Sequence, residues 1–168
     1  PSGAVQTRMR LGQWDEAVAE AAELRDIFGP ENFYVEVMDH GIEFERRTQK
    51  QLLELAKLMD APLVATNDAH YVKKEDRGIQ DALLCINSGS RISDPDRFKF
   101  DGDGYYIRSS EEMRSIWKEL PEACNSTLEI AERCDVHFRT TAEGASYMPD
   151  FPVPEGEDKT SWFIKEVE

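Results

Sequence analysis

The chain has 168 residues, of which 40% are hydrophobic and 10% aromatic, a composition typical of a globular domain. No apolar run approaches the roughly 20 residues that cross a bilayer, so we expect no membrane-spanning segment and no membrane partner. With 34 acidic against 20 basic residues, the net charge of -14 argues against a surface that holds nucleic acid by neutralising phosphates.

The first half of the chain predicts a strand, a helix and a second strand. A helix over residues 14–28 comes first, because its apolar residues recur at helical spacing up to the stop at Gly29-Pro30. A strand over 33–38, a helix over 43–59 and the short apolar run 63–66 follow. A crossover helix of this length joins parallel strands, so the carboxyl ends of both strands are expected at one edge.

The second half predicts helices separated by an irregular connection. We expect a helix over 75–87 that packs Ile79, Ala82, Leu83 and Ile86, capped by Gly89, and then an irregular stretch over 90–103. Residues 105–107 are a candidate strand. Ser109 and Glu112 have the spacing of a capping box. Helices over about 109–120, 121–134 and the last residues complete the prediction, with Cys124, Leu128, Ala131 and Cys134 expected on one buried face.

The three cysteines are Cys85, Cys124 and Cys134, and none forms a C-x-x-C pair. Each lies in a predicted helix, so we expect reduced, buried or nearly buried thiols in a cytoplasmic protein. Because Pro1 is not an initiator and the last residues resemble an interrupted helix, we also expect the chain to be a fragment.

The most specific chemical feature is the TNDAHY segment, where Asp68 and His70 directly follow an apolar strand. In extended chain, residues two apart point the same way, so a carboxylate and an imidazole could bind one ion. Zinc, manganese or iron accepts that mixed pair. By itself the D-x-H pattern is a weak signal, and without context a turn in which Asp68 caps the next element is the favoured interpretation.

Topology adds a second carboxylate and imidazole, Asp39 and His40, at the end of the preceding strand. Functional groups collect at the carboxyl ends of parallel strands, which favours a metal or phosphate site at this edge. The alternative is a turn in which Asp39 and His40 bond their own backbone. Lys73 and Lys74 follow the D-x-H segment closely enough to meet a phosphate, although solvated charge is the simpler interpretation.

Two further features carry little chemistry. His137 has no acidic partner at ligand spacing and is interpreted as structural or exposed. The sequence from Asp101 to Glu112 has some spacing of a calcium-binding EF-hand, but Tyr105 and Tyr106 stand where an oxygen ligand and a glycine are required.

Several segments resemble one family in its own order. PLVATNDAHYVKKEDRGIQDALLCINSGS at 62–90 is similar to the end of the PHP (polymerase and histidinol phosphatase) domain of bacterial DNA polymerase III alpha subunits, the replicative C-family polymerases. FYVEVMDHG lies before it, and YYIRSSEEM, PEACNSTLEIAERCDV and YMPDFPVPEG lie after it. The resemblance implies an α/β fold, with residues 1–135 as the C-terminal portion of a distorted (β/α)7 PHP barrel and 136–168 as a linker and the start of the polymerase palm region.

The resemblance also implies a site. Asp68 and His70 match metal ligands of the PHP domain, to be held with ligands from preceding residues, and Asp39, His40 and Asn67 are possible neighbours that support them. Zinc or manganese is the expected metal, with Asp68 and His70 as ligands and not as general bases. In some members this domain is a 3′ to 5′ proofreading exonuclease.

For the full-length protein, the resemblance implies DNA-directed DNA synthesis, a nucleotidyl transfer that needs magnesium. The implied partners are primer-template DNA, deoxynucleoside triphosphates, the sliding clamp and other replisome subunits. The polymerase aspartates of the family lie beyond Glu168, so the chain alone is expected to be inactive. Two alternatives stay open: a stand-alone PHP phosphoesterase, and a PHP domain kept only as a scaffold.

Overall fold

The structure, a computed structural model, describes residues 3–144 and 149–167. Pro1, Glu168 and the first two residues of the YMPDFPVPEG segment lie outside the described residues. The chain divides into two compact units, residues 1–134 and residues 135–168. The division falls beside the boundary expected from the sequence, while the identity of the two units as PHP and palm regions remains a prediction.

The first unit is mixed α/β and mostly helical. Two short parallel strands pair with Val35 opposite Leu63 and Val37 opposite Ala65, as the predicted strand, helix, strand unit requires. The (β/α)7 barrel implied by the resemblance remains a prediction. In chain order the elements are α1 (Ala4–Arg10), α2 (Trp14–Phe28), β1 (Val35–Val37), α3 (Glu43–Leu58), β2 (Leu63–Ala65), α4 (Arg77–Ser88), α5 (Ser110–Ile116) and α6 (Pro121–Arg133).

Two apolar clusters hold these elements together. Around Val35, buried side chains of α1, α2 and α3 pack against the sheet, with Ala17, Ala21 and Leu55 almost inaccessible to water. Around Val37, the second cluster collects Ala65 and the packed faces of α5 and α6. The face of β1 that carries Val35 and Val37 is therefore covered by helices, while Glu36 on the other face is exposed.

Local sequence signals set several boundaries. Helix α2 has the predicted bounds, and Gly89 ends α4 in the left-handed conformation with a φ of 67°. The Ser109 hydroxyl accepts a bond from the Glu112 amide, and the Glu112 carboxylate accepts one from the Ser109 amide, so the capping box is confirmed.

Several predicted burial patterns were wrong. Ile79, Leu83 and Ile86 on α4 are exposed, Ile86 by 77%, and the side chain that α4 buries is Cys85. Periodicity identifies the apolar face of a helix but not whether another element covers it. On α6, Cys124 of the predicted stripe is buried together with Ala123 and Ser126, but Leu128, Ala131 and Cys134 are exposed.

Cys134 also corrects an expectation. Cys85 and Cys124 are buried thiols, but Cys134 is exposed because it is the residue at which α6 ends. The candidate strand at 105–107 is reduced to a single parallel bridge between Tyr71 and Tyr106.

The second unit contains α7 (Lys159–Val167), which agrees with the helix predicted at the end of the chain. Asp158 stabilises its first turn, since its carboxylate accepts bonds from the Thr160 and Ser161 amides at 2.8 Å each. His137 is exposed as expected, yet its Nε2 atom lies 3.4 Å from a Glu143 carboxylate oxygen. In the part of the chain that the structure describes, no helix is both long and apolar enough to cross a membrane.

Candidate metal site

Asp68 and His70 come together in the structure. Their side chains bring Oδ1 of Asp68 within 3.3 Å of Nε2 of His70, and they are 48% and 36% exposed. One oxygen and one nitrogen donor therefore face the same small volume, open to solvent on one side. A mixed pair of this kind fits zinc or manganese better than calcium or magnesium.

The reason for this convergence differs from the predicted one. We expected an extended segment, but Asp68 is left-handed, with a φ of 41°, and β2 already ends at Ala65. A non-glycine residue at positive φ is uncommon, although Asp and Asn tolerate it better than other residues. The two side chains meet because the chain turns at Asp68, and not because of strand alternation.

Asn67 attaches this turn to the rest of the unit. Its side-chain amide nitrogen, Nδ2, donates to the carbonyls of Gly104 and Tyr106, at 3.0 and 2.6 Å. The His70 amide donates to the Tyr105 carbonyl at 2.7 Å. Residues 104–106 thus accept hydrogen bonds from Asn67, before Asp68, and from His70, after it, so the turn is held at both ends.

His40 is a buried partner of the turn rather than a ligand. It is 3% exposed, and its Nε2 atom bonds the Asn67 carbonyl at 2.9 Å while its Nδ1 atom bonds Glu45 at 2.6 Å. The other oxygen of Glu45 accepts the His40 amide, also at 2.6 Å. Both ring nitrogens are engaged in hydrogen bonds, so His40 contacts the turn from its buried side.

Asp39 forms a local turn, which the sequence predicted as the alternative to a metal or phosphate site. Its carboxylate accepts the Gly41 amide at 2.8 Å, and its carbonyl accepts the Arg108 guanidinium at 3.0 Å. Its side chain is therefore engaged in the backbone of its own turn.

Aromatic rings link the buried histidine to the exposed one. The Tyr105 ring stacks on His40 at 4.0 Å between centroids and on Phe100 at 4.7 Å, and Phe100 lies 4.5 Å from the His70 ring. Gly102 lets this loop approach closely, since a side chain there would meet the His40 carbonyl at 2.6 Å.

The field around the site is negative. Burial raises the pKa of the Tyr105 hydroxyl, and the neighbouring carboxylates of Glu45, Asp68 and Asp101 raise it further. A local excess of carboxylates favours a cation. Lys74, which we considered for phosphate contact, lies 4.0 Å from Asp103.

Sequence reasoning missed two residues of this arrangement, Glu45 and Tyr105. Glu45 occupies the third position of α3, where an acidic side chain commonly reaches back to preceding amides, and that signal was available. Tyr105 follows two alternating phenylalanines, which indicated a cluster but not its location.

The described residues contain no group of three or more His, Cys, Asp and Glu side chains arranged to bind a metal. The 3.3 Å pair therefore fits part of a ligand set, the share expected if other donors come from elsewhere in a longer protein.

Comparison with known proteins identifies relatives along the whole chain. It is 51% identical over 169 residues to the DNA polymerase III subunit alpha of Mycobacterium tuberculosis strain H37Rv, covering 100% of this chain and 14% of that protein. The same subunit is 36% identical over 156 residues in Treponema pallidum, covering 93% of this chain and 13% of that protein. In Thermus aquaticus it is 36% identical over 151 residues, covering 88% and 12%.

No family model matches the chain. The chain spans about one seventh of the length of the curated relatives it matches, as the 14% coverage states. Its similarity continues through both compact units, beyond the segment that holds Asp68 and His70. The chain belongs to the DNA polymerase III alpha subunit family.

Proposed function

We propose that this chain is part of the catalytic alpha subunit of a bacterial replicative DNA polymerase and supplies ligands to a metal-binding PHP domain. The observation that carries the first statement is the match along the entire chain at 51% identity. The second rests on the resemblance around TNDAHY together with the 3.3 Å approach of Asp68 and His70.

Asp68 and His70 act here as ligands. The carboxylate contributes negative charge and an oxygen donor, and the imidazole contributes a neutral nitrogen, a set suited to zinc or manganese. Divalent metal ions bound there would activate water and stabilise charge at a phosphodiester. With the remaining ligands from other parts of the protein, the site would serve 3′ to 5′ removal of misincorporated nucleotides from primer-template DNA.

Polymerisation belongs to the full-length protein and not to this segment. There we propose nucleotidyl transfer from deoxynucleoside triphosphates with magnesium, in company with a sliding clamp and other replisome subunits in the cytoplasm. Residues 1–134 would form the end of the PHP barrel, and residues 135–168 the connection to the palm. The full-chain similarity to polymerase subunits favours this assignment over a stand-alone phosphoesterase.

The test uses the full-length protein that contains this chain, with Asp68→Asn and His70→Gln variants. We expect both to lose bound zinc or manganese and 3′ to 5′ exonuclease activity, while primer extension is retained. Metal content by mass spectrometry, mismatched-primer degradation and primer extension provide the readouts. Unaltered protein that purifies without metal at this site and degrades no primer would favour the scaffold alternative.

A further inference from the structure

The turn that presents the two candidate ligands is only two residues long between its attachment points. Asp68 and Ala69 separate Asn67, which is bonded through its side chain to 104–106, from His70, which is bonded through its amide to Tyr105. The left-handed φ of 41° at Asp68 lies within this interval. Whatever fixes the Asn67 peptide therefore fixes the direction of the Asp68 side chain.

His40 provides that constraint from the buried side. Its Nε2 atom is 2.9 Å from the Asn67 carbonyl, across 27 residues of sequence. His40 itself is only 3% exposed, so its ring donates to this carbonyl from the interior, and loss of the ring would remove the partner of that carbonyl.

Glu45 in turn holds His40. One carboxylate oxygen bonds the His40 ring at Nδ1, and the other bonds the His40 amide, both at 2.6 Å. The imidazole is thus restrained in position and orientation, while Tyr105 stacks on its face at 4.0 Å. Loss of residues that orient metal ligands typically weakens metal binding by about 10–100-fold.

We propose that His40, held by Glu45, is a positioning residue for the Asp68 and His70 pair. Through the Asn67 carbonyl it stabilises the left-handed turn that points both donors at one ion. This inference rests on the proposed metal site and goes beyond it, because it assigns the metal affinity partly to a buried residue that touches neither ligand.

Two substitutions separate the two bonds of His40. His40→Asn keeps an amide donor near the position of Nδ1, facing Glu45, but cannot reach the Asn67 carbonyl. His40→Gln keeps a donor near the position of Nε2 and preserves that contact. In the full-length protein we expect His40→Asn to weaken zinc binding by about tenfold or more, and His40→Gln to stay within about threefold of the unaltered protein.

Zinc affinity is measured by chelator competition, alongside amide hydrogen exchange of residues 63–72. Leu55→Ala, in the core around Val35, is the control for general destabilisation, and we expect it to leave zinc affinity unchanged. Equal affinities for His40→Asn and the unaltered protein would overturn the proposal. So would equal losses for the two His40 variants, or a comparable loss in Leu55→Ala.

Asp68→Asn distinguishes failure of the inference from failure of the site. If Asp68→Asn retains full zinc affinity, the metal site and the positioning role are both overturned. If Asp68→Asn loses zinc while His40→Asn keeps it, only the positioning role is overturned. Should His40→Asn not fold, Glu45→Gln replaces it, with an expected loss of at least about threefold, and an unchanged affinity would contradict the proposal.

Discussion

At the scale of single residues, His40 and Glu45 form a buried charged pair. Burial lowers the pKa of His40, but its bonds to Glu45 and to the Asn67 carbonyl outweigh this effect and raise the pKa above its ordinary 6.5, with Arg108 opposing. Burial raises the pKa of Glu45, and the bonds from His40 outweigh that and hold it below 4.5. Both partners are therefore charged between pH 4.5 and 6.5.

The sign of each shift defines a pH window for stability. A raised histidine pKa stabilises fully below pH 6.5, and this contribution is lost as the pH rises through the folded-state pKa. A lowered glutamate pKa stabilises above pH 4.5, and its contribution is lost as the pH falls through the folded-state pKa. We expect Glu45→Gln to reduce amide protection at residues 38–48 most between these values, as measured by hydrogen exchange corrected for intrinsic rates. A difference that grows as the pH rises further above 6.5 would contradict this.

Asp68 combines a conformational role with the ligand role that we propose, and substitution can separate them. Asn tolerates a φ of 41°, so Asp68→Asn should keep the turn and lose the anionic donor. Asp68→Val should lose both, at an additional cost of about 1–2 kcal/mol for a β-branched residue in this conformation. Hydrogen exchange of 63–72 compares the two variants, and equal protection in both would show that the turn imposes no such requirement.

At the scale of elements, helix α4 and the loop after it are joined by one ion pair. Arg97 donates to the two Asp81 carboxylate oxygens through Nη1 and Nη2, at 2.5 and 2.6 Å. Its Nε atom also donates to the Ile92 carbonyl. This geometry requires the planar guanidinium fork, which Lys lacks.

Arg97→Lys should therefore release the loop. We expect faster amide exchange over 91–100 with little change over 43–58, because α3 makes no use of this pair. Lys99→Arg, a neighbouring conservative change outside the pair, provides the control. Unchanged exchange in 91–100 would mean that other contacts hold the loop.

Helix α5 depends on its first turn. Ser109→Ala removes the hydroxyl that accepts the Glu112 amide, and we expect a local loss of about 1 kcal/mol. Ser109→Asp retains an acceptor and should retain most of the stability. Opening free energies from hydrogen exchange at 110–117 test the difference, and equal values for the two variants would contradict a capping role.

The elements also show which sequence signals were sufficient. Helix α2, the capping box at Ser109 and the parallel β1 and β2 followed from local periodicity and from the crossover rule. The bond from His40 to Asn67 spans 27 residues and leaves no local pattern. The apolar stripe of α4 was wrongly predicted to be buried, because the apolar character of a helix face does not show whether another element packs against it.

At the scale of the whole molecule, charge limits what this segment does with DNA. With a net charge of -14, acidic side chains outnumber the basic ones that could neutralise phosphates, and Arg46, Arg47 and Lys50 lie together on α3 among acidic neighbours. The approach of Asp68 to His70 was predicted from their spacing in an extended segment, whereas the left-handed turn that produces it was not.

The triple variant Arg46→Gln, Arg47→Gln, Lys50→Gln tests this limit in the full-length protein. If these residues do not contact phosphates, the slope of log Kobs against log salt for primer-template binding should change by less than about one unit. If the three residues each contacted a phosphate, the variant would lose three contacts and the magnitude of the slope would fall by about 2.7, at roughly 0.9 per contact. That result would contradict our expectation.

The attachment of the turn to residues 104–106 has a consequence for insertions and deletions. The bonds to Asn67 and His70 use the backbone carbonyls of Gly104, Tyr105 and Tyr106, so they depend on the spacing of these three residues, while the Tyr105 ring separately stacks on His40. An insertion among residues 91–98 would keep the spacing of those three carbonyls, so each could still pair with its donor on Asn67 or His70. Removing one residue within 104–106 would offer each donor the wrong carbonyl and reverse the side to which the following side chains project.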